Sequence, residues 1–149
     1  MKPTNSAKHA AFSEYATFYL KDALCGIALD AIQEINKPSD LTVVPRAPDY
    51  VMGIVNLRGK IVTVIDTGKR LGLNPIDAGE KMRTIIVNDG DESVGLMVDQ
   101  IANVIKIEPD GTEAPPANIG KVPGRCFDAV YKTEDRLVGL LSLDSLVQR

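Results

Sequence analysis

The amino-acid sequence predicts an all-β protein made of two small curled barrels in tandem, with a few short helices. Three observations support this fold class: short aliphatic runs alternate with turn signals, β-branched residues are frequent, and the strand pattern repeats. Of the 149 residues 44% are hydrophobic but only 5% are aromatic, and there is no tryptophan. β-Branched residues favour strands, and short strands with glycine at several bends favour curled sheets over flat ones.

The first predicted elements are a hairpin, a short helical stretch and a third strand. Apolar runs at residues 15–20 and 24–29 flank a turn, and together they predict the hairpin. Asp30 begins a predicted helical stretch through residue 35, because apolar side chains recur there at helical spacing. Residues 41–44 predict a further strand, which ends where proline interrupts the apolar pattern.

The clearest local signal is a second hairpin in the first half of the chain. Residues 53–57 and 60–65 are aliphatic runs separated by only two residues, Arg58 and Gly59. Such a connection is typical of a tight β-turn, in which glycine supplies the positive φ that the turn requires. Asp66 follows the second strand and begins a short predicted helix.

The second half of the chain has the same kind of pattern. A Pro- and Gly-rich stretch at 112–124 predicts a long loop, and a short helix is predicted from residue 142 or 144 to 148. The predicted strands of this half are residues 83–87, 94–98, 104–107, 127–131 and 137–141.

An internal repeat connects the two halves. Residues 26–35 align without a gap with residues 95–104, and residues 61–65 parallel residues 137–141. Glycine, aspartate and apolar positions agree together, which favours a duplication over chance similarity between aliphatic strands. The repeat therefore predicts two similar five-stranded units.

The expected domain organisation follows from the repeat. Residues 1–12 are a predicted flexible tail, residues 13–73 a first barrel subdomain, and residues 74–149 a second one with the C-terminal helix. The tail lacks the apolar core of a signal peptide, and no apolar run approaches the roughly 20 residues that span a bilayer. We therefore expect a cytoplasmic protein that inserts no segment into a membrane.

Charge and cysteine content argue against nucleic-acid binding, a zinc site and a disulfide framework. The formal net charge is −3, and no basic stripe occurs, which argues against nucleic-acid binding because that needs clustered positive charge. Cys25 and Cys126 lie far apart in the sequence. Their spacing fits neither a zinc site nor a disulfide framework, so both are predicted to be buried free thiols.

No catalytic constellation is found in the sequence. The single histidine, His9, lies in the predicted tail, which excludes Ser-His-Asp and Cys-His schemes. An acid–base hydrolase that uses Asp66 and a neighbouring carboxylate is one alternative. Aspartate between a strand and a helix is more often an N-cap, so no catalytic residue, cofactor or metal is predicted. The aspartates to which this applies are Asp30, Asp66, Asp99 and Asp144.

A protein that acts by binding partners is the remaining class. Arg58 is expected at the tip of an apolar hairpin, either as a plain solvated turn residue or as a contact residue. Glu34 lies between Ile32 and Ile35 in the predicted helical stretch, where an ordinary exposed charge is the simpler explanation. The pattern by itself allows Ile32, Ile35 and Val104 to be core residues or interface residues.

Six stretches carry a resemblance to a known family; they are residues 15–20, 25–35, 48–59, 61–66, 94–99 and 137–141. The Ile-Gln-Glu-Ile and Asn-Leu-Arg-Gly sequences, in this order, are the most specific of them. Together they resemble the CheW-like domain family of chemotaxis adaptors, over nearly the whole chain beyond the tail.

The resemblance implies two five-stranded, SH3-like barrels with a hydrophobic groove between them and no catalytic activity. It implies an adaptor that couples chemoreceptors to the histidine kinase CheA and is recruited to membrane receptor arrays. The groove would take the cytoplasmic tip of methyl-accepting receptors, and the second barrel would bind the kinase regulatory domain at residues that are not identified. Matched position by position, the expected groove residues are Ile32, Glu34, Ile35, Arg58 and Val104.

The chain also departs from the family pattern. Thr67 and Gly68 stand where family members commonly carry leucine and arginine, and the loop from residue 112 to 126 has its own length and composition. Adaptors of pilus-motility or developmental pathways share the resemblance. They stay an alternative to a chemotaxis adaptor.

Overall fold

The computed structural model of the protein describes residues 13–77 and 79–147, so the predicted tail at residues 1–12 and the predicted helix end at 148 lie outside the described residues. Short helices lie at Thr67–Arg70 and Leu143–Val147, and 3-10 turns at Leu29–Ala31, Pro109–Gly111 and Gly124–Cys126. The strands are β1 (Ser13–Leu20), β2 (Ala23–Ala28), β3 (Ile32–Asn36), β4 (Val51–Leu57), β5 (Lys60–Asp66), β6 (Arg83–Asp89), β7 (Glu92–Val98), β8 (Gln100–Ile107), β9 (Thr112–Glu113), β10 (Asn118–Ile119), β11 (Val122–Pro123), β12 (Phe127–Lys132) and β13 (Leu137–Leu141).

The described strands form two main sheets. One is six-stranded in the order β8-β1-β2-β13-β12-β9, the other is five-stranded in the order β3-β6-β7-β5-β4, and β10 and β11 form a small separate ribbon. Most neighbours are antiparallel, but β13 runs parallel to β2 and β5 runs parallel to β7. The predicted all-β fold class with few short helices is confirmed.

The sheets do not follow the predicted boundary between residues 73 and 74. β1 and β2 belong to the six-stranded sheet, while β3, β4 and β5 belong to the five-stranded one. β6 and β7 join the five-stranded sheet, and β8 returns to the six-stranded one. Each half of the sequence therefore supplies strands to both sheets, because the short connections after β2 and after β7 each lead the chain from one sheet to the other.

The internal repeat is visible in the strand register. Gly95 pairs with Val64 in the parallel contact of the five-stranded sheet, and Gly26 pairs with Leu140 in that of the six-stranded sheet. The sequence repeat aligns the two glycines with each other and Val64 with Leu140. The two sheets thus contain equivalent five-strand arrangements, to which the six-stranded sheet adds β9.

Three apolar clusters of described residues form the core. The largest combines residues of both sheets, including Phe18 of β1, Leu96 of β7 and Leu146 of the C-terminal helix. Each sheet also encloses a smaller cluster of its own, one around Leu140 and the other around Val64. A small cluster inside each sheet is what a curled sheet needs, and the shared cluster joins the two units.

Several predicted elements differ from the structure. The stretch from residue 30 to 35 is not helical, because a 3-10 turn leads directly into β3, which pairs with β6. Residues 41–44 form only an isolated bridge from Thr42 to Ile54. The predicted loop at 112–124 contains three two-residue strands. In each of these segments the secondary structure depends on pairing with a strand that is distant in the sequence, and the spacing of apolar residues within the segment does not reveal that pairing.

The aspartates after strands have different roles. Asp66 is the N-cap of its helix and accepts a hydrogen bond from the backbone N–H of Lys69 at 3.1 Å, so the prediction is confirmed there. Asp30 lies inside a 3-10 turn and is not its N-cap. Asp99 accepts a hydrogen bond from the backbone N–H of Lys21 and so joins the connection between β7 and β8 to the β1–β2 turn.

Both cysteines are free thiols. Cys25 is fully buried in the shared core, and burial, with a further contribution from Cys126, raises the pKa of its thiol to about 12. Cys126 is only half-buried, which corrects the prediction for this residue, because it lies in a 3-10 turn before β12.

Candidate functional site

The turn between β4 and β5 presents Arg58 at its tip. Arg58 and Gly59 both have positive φ, at 50° and 86°, as a two-residue hairpin turn requires. The side-chain oxygen of Asn56 accepts a hydrogen bond from the backbone N–H of Gly59 at 2.9 Å and stabilises this turn. The left-handed backbone conformation is unfavourable for arginine, so the backbone at Arg58 is strained.

Arg58 forms an ion pair with Glu34 of β3. The Arg58 side chain is 70% exposed and the Glu34 side chain 23% exposed. A pair this open to solvent contributes little to stability, typically about 0 to 1 kcal/mol. The guanidinium of Arg58 is therefore available to a partner, and the ion pair with Glu34 orients it.

The ion pair joins the two edges of the five-stranded sheet. β3 is one edge strand and β4 is the other. In a flat sheet the two edges are separated by roughly 19 Å, which is four strand spacings of about 4.8 Å, beyond the reach of one arginine side chain. The sheet must therefore curl until its edges approach, which agrees with the predicted small barrel.

A pocket of about 170 Å³ lies beside this ion pair, and both Glu34 and Arg58 line it. Lys60 and Gln33 contribute further polar groups, and Val62 contributes part of its apolar wall. The hydroxyl of Ser93 donates a hydrogen bond to the side-chain oxygen of Gln33 at 3.2 Å. The pocket is polar and small, so it fits a side chain of a partner protein better than a cofactor.

The equivalent place in the other sheet lacks this ion pair. The repeat aligns Glu34 with Asn103, whose backbone N–H donates a hydrogen bond to the Thr17 hydroxyl at 3.0 Å. The same hydroxyl donates to the Asn103 carbonyl at 2.5 Å. In β8 the position therefore serves the pairing with β1, and the charged site belongs to the five-stranded sheet only.

The predicted apolar site residues are divided between core and surface. Ile32 is half-buried and packs against the shared core. Ile35 is 39% exposed on the edge strand β3, and Val104 is 53% exposed on the edge strand β8 of the other sheet. Glu34 and Arg58 are thus the predicted residues that the structure brings into contact, and the groove role of all five stays a prediction.

Further exposed apolar residues lie outside the five predicted site positions. Within the described part of the chain the large apolar side chains that face solvent are Ile35, Val43, Ile61, Val104 and Leu137. The repeat aligns Ile35 with Val104 and Ile61 with Leu137, so four of these five form two equivalent pairs. An apolar residue at the same position of both repeats is the sequence signal that could have identified Ile61 and Leu137. Exposed apolar patches often mark interaction sites.

An apolar cleft of about 200 Å³ lies between the five-stranded sheet and the C-terminal helix. Val51 and Thr63 line it from the sheet, Tyr50 from the turn just before β4, and Leu146 from the helix, and none of the five predicted residues does so. Arg70 fixes the helix in place: it donates hydrogen bonds to the carbonyls of Ser145 at 2.8 Å and Leu146 at 3.2 Å. Its guanidinium also lies 4.9 Å from the centre of the Tyr50 ring.

The described residues offer little to acid–base or metal chemistry. The Asp66 carboxylate is buried and accepts hydrogen bonds from two backbone N–H groups, those of Lys69 at 3.1 Å and Ile76 at 2.8 Å. Across 13–77 and 79–147, no three His, Cys, Asp or Glu side chains are grouped as a metal site needs. No helix in these ranges is long and apolar enough to span a bilayer.

Comparison with known proteins gives a consistent result. The family described as "CheW-like domain" matches residues 14–149. The "Chemotaxis protein CheW" of Treponema pallidum is 35% identical over 89% of this chain and 81% of its own length. The crystal structure of the scaffolding protein TtCheW from Thermoanaerobacter tengcongensis is 30% identical, with a TM-score of 0.83 over 93% of this chain and 89% of that one. The protein FrzA of Myxococcus xanthus is 24% identical over 91% of this chain and 85% of its own length.

Proposed function

The chain belongs to the CheW-like domain family, and from this premise we propose that it is a chemotaxis scaffold that couples chemoreceptors to a CheA-type histidine kinase. The Treponema pallidum relative is described as a chemotaxis protein, and the protein from Thermoanaerobacter tengcongensis is described as a scaffolding protein. The observation that carries the proposal is that a chain matching this family exposes apolar side chains on both of its sheets. The protein would act by holding partners together, without a reaction of its own.

The receptor-binding residues of this scaffold are Ile32, Glu34, Ile35, Arg58 and Val104. Ile35 and Val104 offer exposed apolar surface, which is what the apolar face of a helical receptor tip needs. Arg58 and Glu34 add charged groups on the five-stranded sheet, and charges at the rim of an interface influence specificity and association rate more than affinity. Charge would thereby help to select the receptor tip, and apolar contact would hold it.

The kinase regulatory domain is the second partner. Ile61 and Leu137 support this part of the proposal, since the repeat makes them equivalent and both are exposed. A scaffold with equivalent apolar surfaces on two units can bind two neighbours at once. Weak individual contacts then gain strength through multivalency, and the protein would be cytoplasmic and recruited to receptor arrays at the membrane.

A pathway other than swimming chemotaxis is the second candidate. It is favoured by the likeness to the protein FrzA, which is 24% identical. The Treponema pallidum relative at 35% identity is named a chemotaxis protein, and this higher identity supports chemotaxis as the first choice. The same surfaces would serve an adaptor in either pathway.

Titration calorimetry tests the proposal with the full chain and two separate partners. These are the regulatory domain of a CheA-type kinase and the cytoplasmic tip of a receptor from the same genome. We expect saturable binding of both by the wild-type protein. Absence of binding to both partners would overturn the proposed function.

Substitution of Arg58 then tests the site assignment. Arg58→Glu should weaken binding of the receptor tip about tenfold or more, since it reverses a charge beside the contact. The control Lys81→Glu makes the same charge change at an exposed position that does not line the pocket beside Arg58, and should bind as wild type does. If Arg58→Glu also binds as wild type does, the assignment of Arg58 is wrong while the function stands.

A further inference from the structure

The six-stranded sheet carries a large open groove at the end where β1 begins. The groove has a volume of about 780 Å³. Its floor is apolar and includes Tyr15, Ile107 and Leu140, the last two of which belong to the cluster that this sheet encloses. An apolar floor of this size favours a bound peptide segment over bulk water.

The rim of the groove is acidic. Asp110, Asp128 and Asp144 line it, and among the described residues no lysine or arginine does. Tyr15 has a raised pKa, mainly because of burial and then because of the nearby carboxylates of Asp128 and Asp30. A segment that fits here must therefore combine apolar side chains with positive charge.

The equivalent place in the five-stranded sheet is closed. The repeat aligns Ser13 of the groove with Met82 and Asp128 with Met52. Met52, Met82 and Ile76 pack against the cluster that the five-stranded sheet encloses. The chain just before β6 thus covers the end of its own unit, and the repeat predicts the same role for the chain just before β1.

We infer that the groove is the docking site of residues 1–12 of this same chain. Ser13, the next residue, lines the groove, so the segment is tethered beside it. The segment contains Lys2, Lys8 and His9 and no aspartate or glutamate, which complements the acidic rim. It ends in Ala-Ala-Phe, which complements the apolar floor. Twelve residues span at most roughly 40 Å, which is ample for a groove of this volume.

Paramagnetic NMR of the full chain tests this inference. A nitroxide label is attached at Ser6→Cys in a Cys126→Ser background, where the remaining Cys25 is fully buried and unreactive. Docking predicts strong broadening of the amide signals of groove residues such as Ala129 and Ser142. No broadening of these signals relative to the reduced label would overturn the inference.

Charge variants provide the second arm. Asp110→Asn/Asp128→Asn/Asp144→Asn should remove most of the broadening, and so should 0.5 M salt, because both weaken the charge attraction. The matched control Asp22→Asn/Asp40→Asn/Asp135→Asn removes three aspartates that do not line the groove and should leave it unchanged. Equal broadening in both triple variants contradicts the charge argument and overturns the inference.

A mixing experiment identifies the occupant. Spin-labelled chain without ¹⁵N is mixed with ¹⁵N-labelled chain that carries no spin label. Docking within one chain predicts no broadening in this mixture. Broadening of groove signals there would mean that a second copy supplies the segment, and it would overturn the proposal of self-docking.

Discussion

Gly26 and Gly95 occupy the same position in the two sheets, each at the point where a strand of one half of the sequence pairs in parallel with a strand of the other half. A Cβ at Gly26 would meet side chains of β13, and a Cβ at Gly95 would meet side chains of β5 and β6. Both glycines therefore leave room for the side chains of neighbouring strands. The side chains around the two glycines differ, so alanine substitutions at the two positions can be compared directly.

Gly95→Ala should destabilise the protein more than Gly26→Ala. A Cβ at Gly95 would lie 2.9 Å from Thr84 Cγ2 and 3.1 Å from Val64 Cγ2, whereas at Gly26 the nearest atom is Leu140 Cδ2 at 3.3 Å. Overpacking of this kind costs about 1 to 3 kcal/mol. We expect a loss in this range for Gly95→Ala and a smaller loss for Gly26→Ala, as measured by urea unfolding. Equal losses would contradict the packing argument.

Arg58 substitutions separate backbone strain from charge. Arg58→Asn and Arg58→Ala both remove the ion pair with Glu34, but asparagine tolerates the positive φ of this position and alanine does not. The asparagine variant should therefore be more stable by about 0.5 to 1 kcal/mol in chemical unfolding. Both should lose receptor-tip affinity alike. A more stable alanine variant would show that the turn is not strained at Arg58.

Cys25 should make stability fall at alkaline pH. Because its pKa is about 12 in the folded protein, the thiol stays protonated there while it ionises near pH 9 in the unfolded chain. The contribution is fully present below about pH 9 and is lost as the pH rises toward 12, at up to about 1.4 kcal/mol per pH unit.

Urea unfolding across this pH range checks the prediction on the wild type and on Cys25→Ala. The alanine variant leaves a small cavity and starts less stable, but it lacks the titrating thiol. The difference between the two proteins should therefore shrink from pH 9 to pH 11. A constant difference would mean that the thiol is not protected by burial.

Arg70 should control the attachment of the C-terminal helix. Arg70→Ala removes the two hydrogen bonds to the carbonyls of Ser145 and Leu146 and the contact with Tyr50. We expect a loss of about 1 to 3 kcal/mol and faster hydrogen exchange at Leu146. Arg70→Lys keeps the charge but lacks the planar fork, so it should recover only part of the loss. Full recovery by lysine would show that charge alone holds the helix.

The second hairpin illustrates what local sequence predicts well. Arg58 and Gly59 lie between two aliphatic runs, and the structure has them in the two-residue turn that this spacing predicts. The N-cap role of Asp66 was likewise predictable, since it depends only on neighbours within one turn. Both features rest on contacts between residues that are close in the chain.

Glu34 illustrates what local sequence predicts poorly. Its spacing between two isoleucines suggested a helix, yet it lies on β3, paired with Ile86 of a distant strand. Its partner Arg58 lies across the curled sheet. The contact between Glu34 and Arg58 depends on the curvature of the whole five-stranded sheet. The residue pattern within one segment does not predict that curvature.

Local sequence patterns were enough to predict the all-β class, the positions of most strands, the internal repeat and the residues that the repeat makes equivalent. These follow from local composition and alternation, because side-chain period and turn residues act over a few neighbours. The sheet that each strand joins, in contrast, is visible only in the folded protein. The tertiary structure placed β3 with β6 and β8 with β1, so that the halves exchange strands, and it brought the two sheet edges together at Glu34 and Arg58. The physical reason is that alternation specifies which face of a strand is buried, while the partner of that strand is chosen by long-range packing of the shared core.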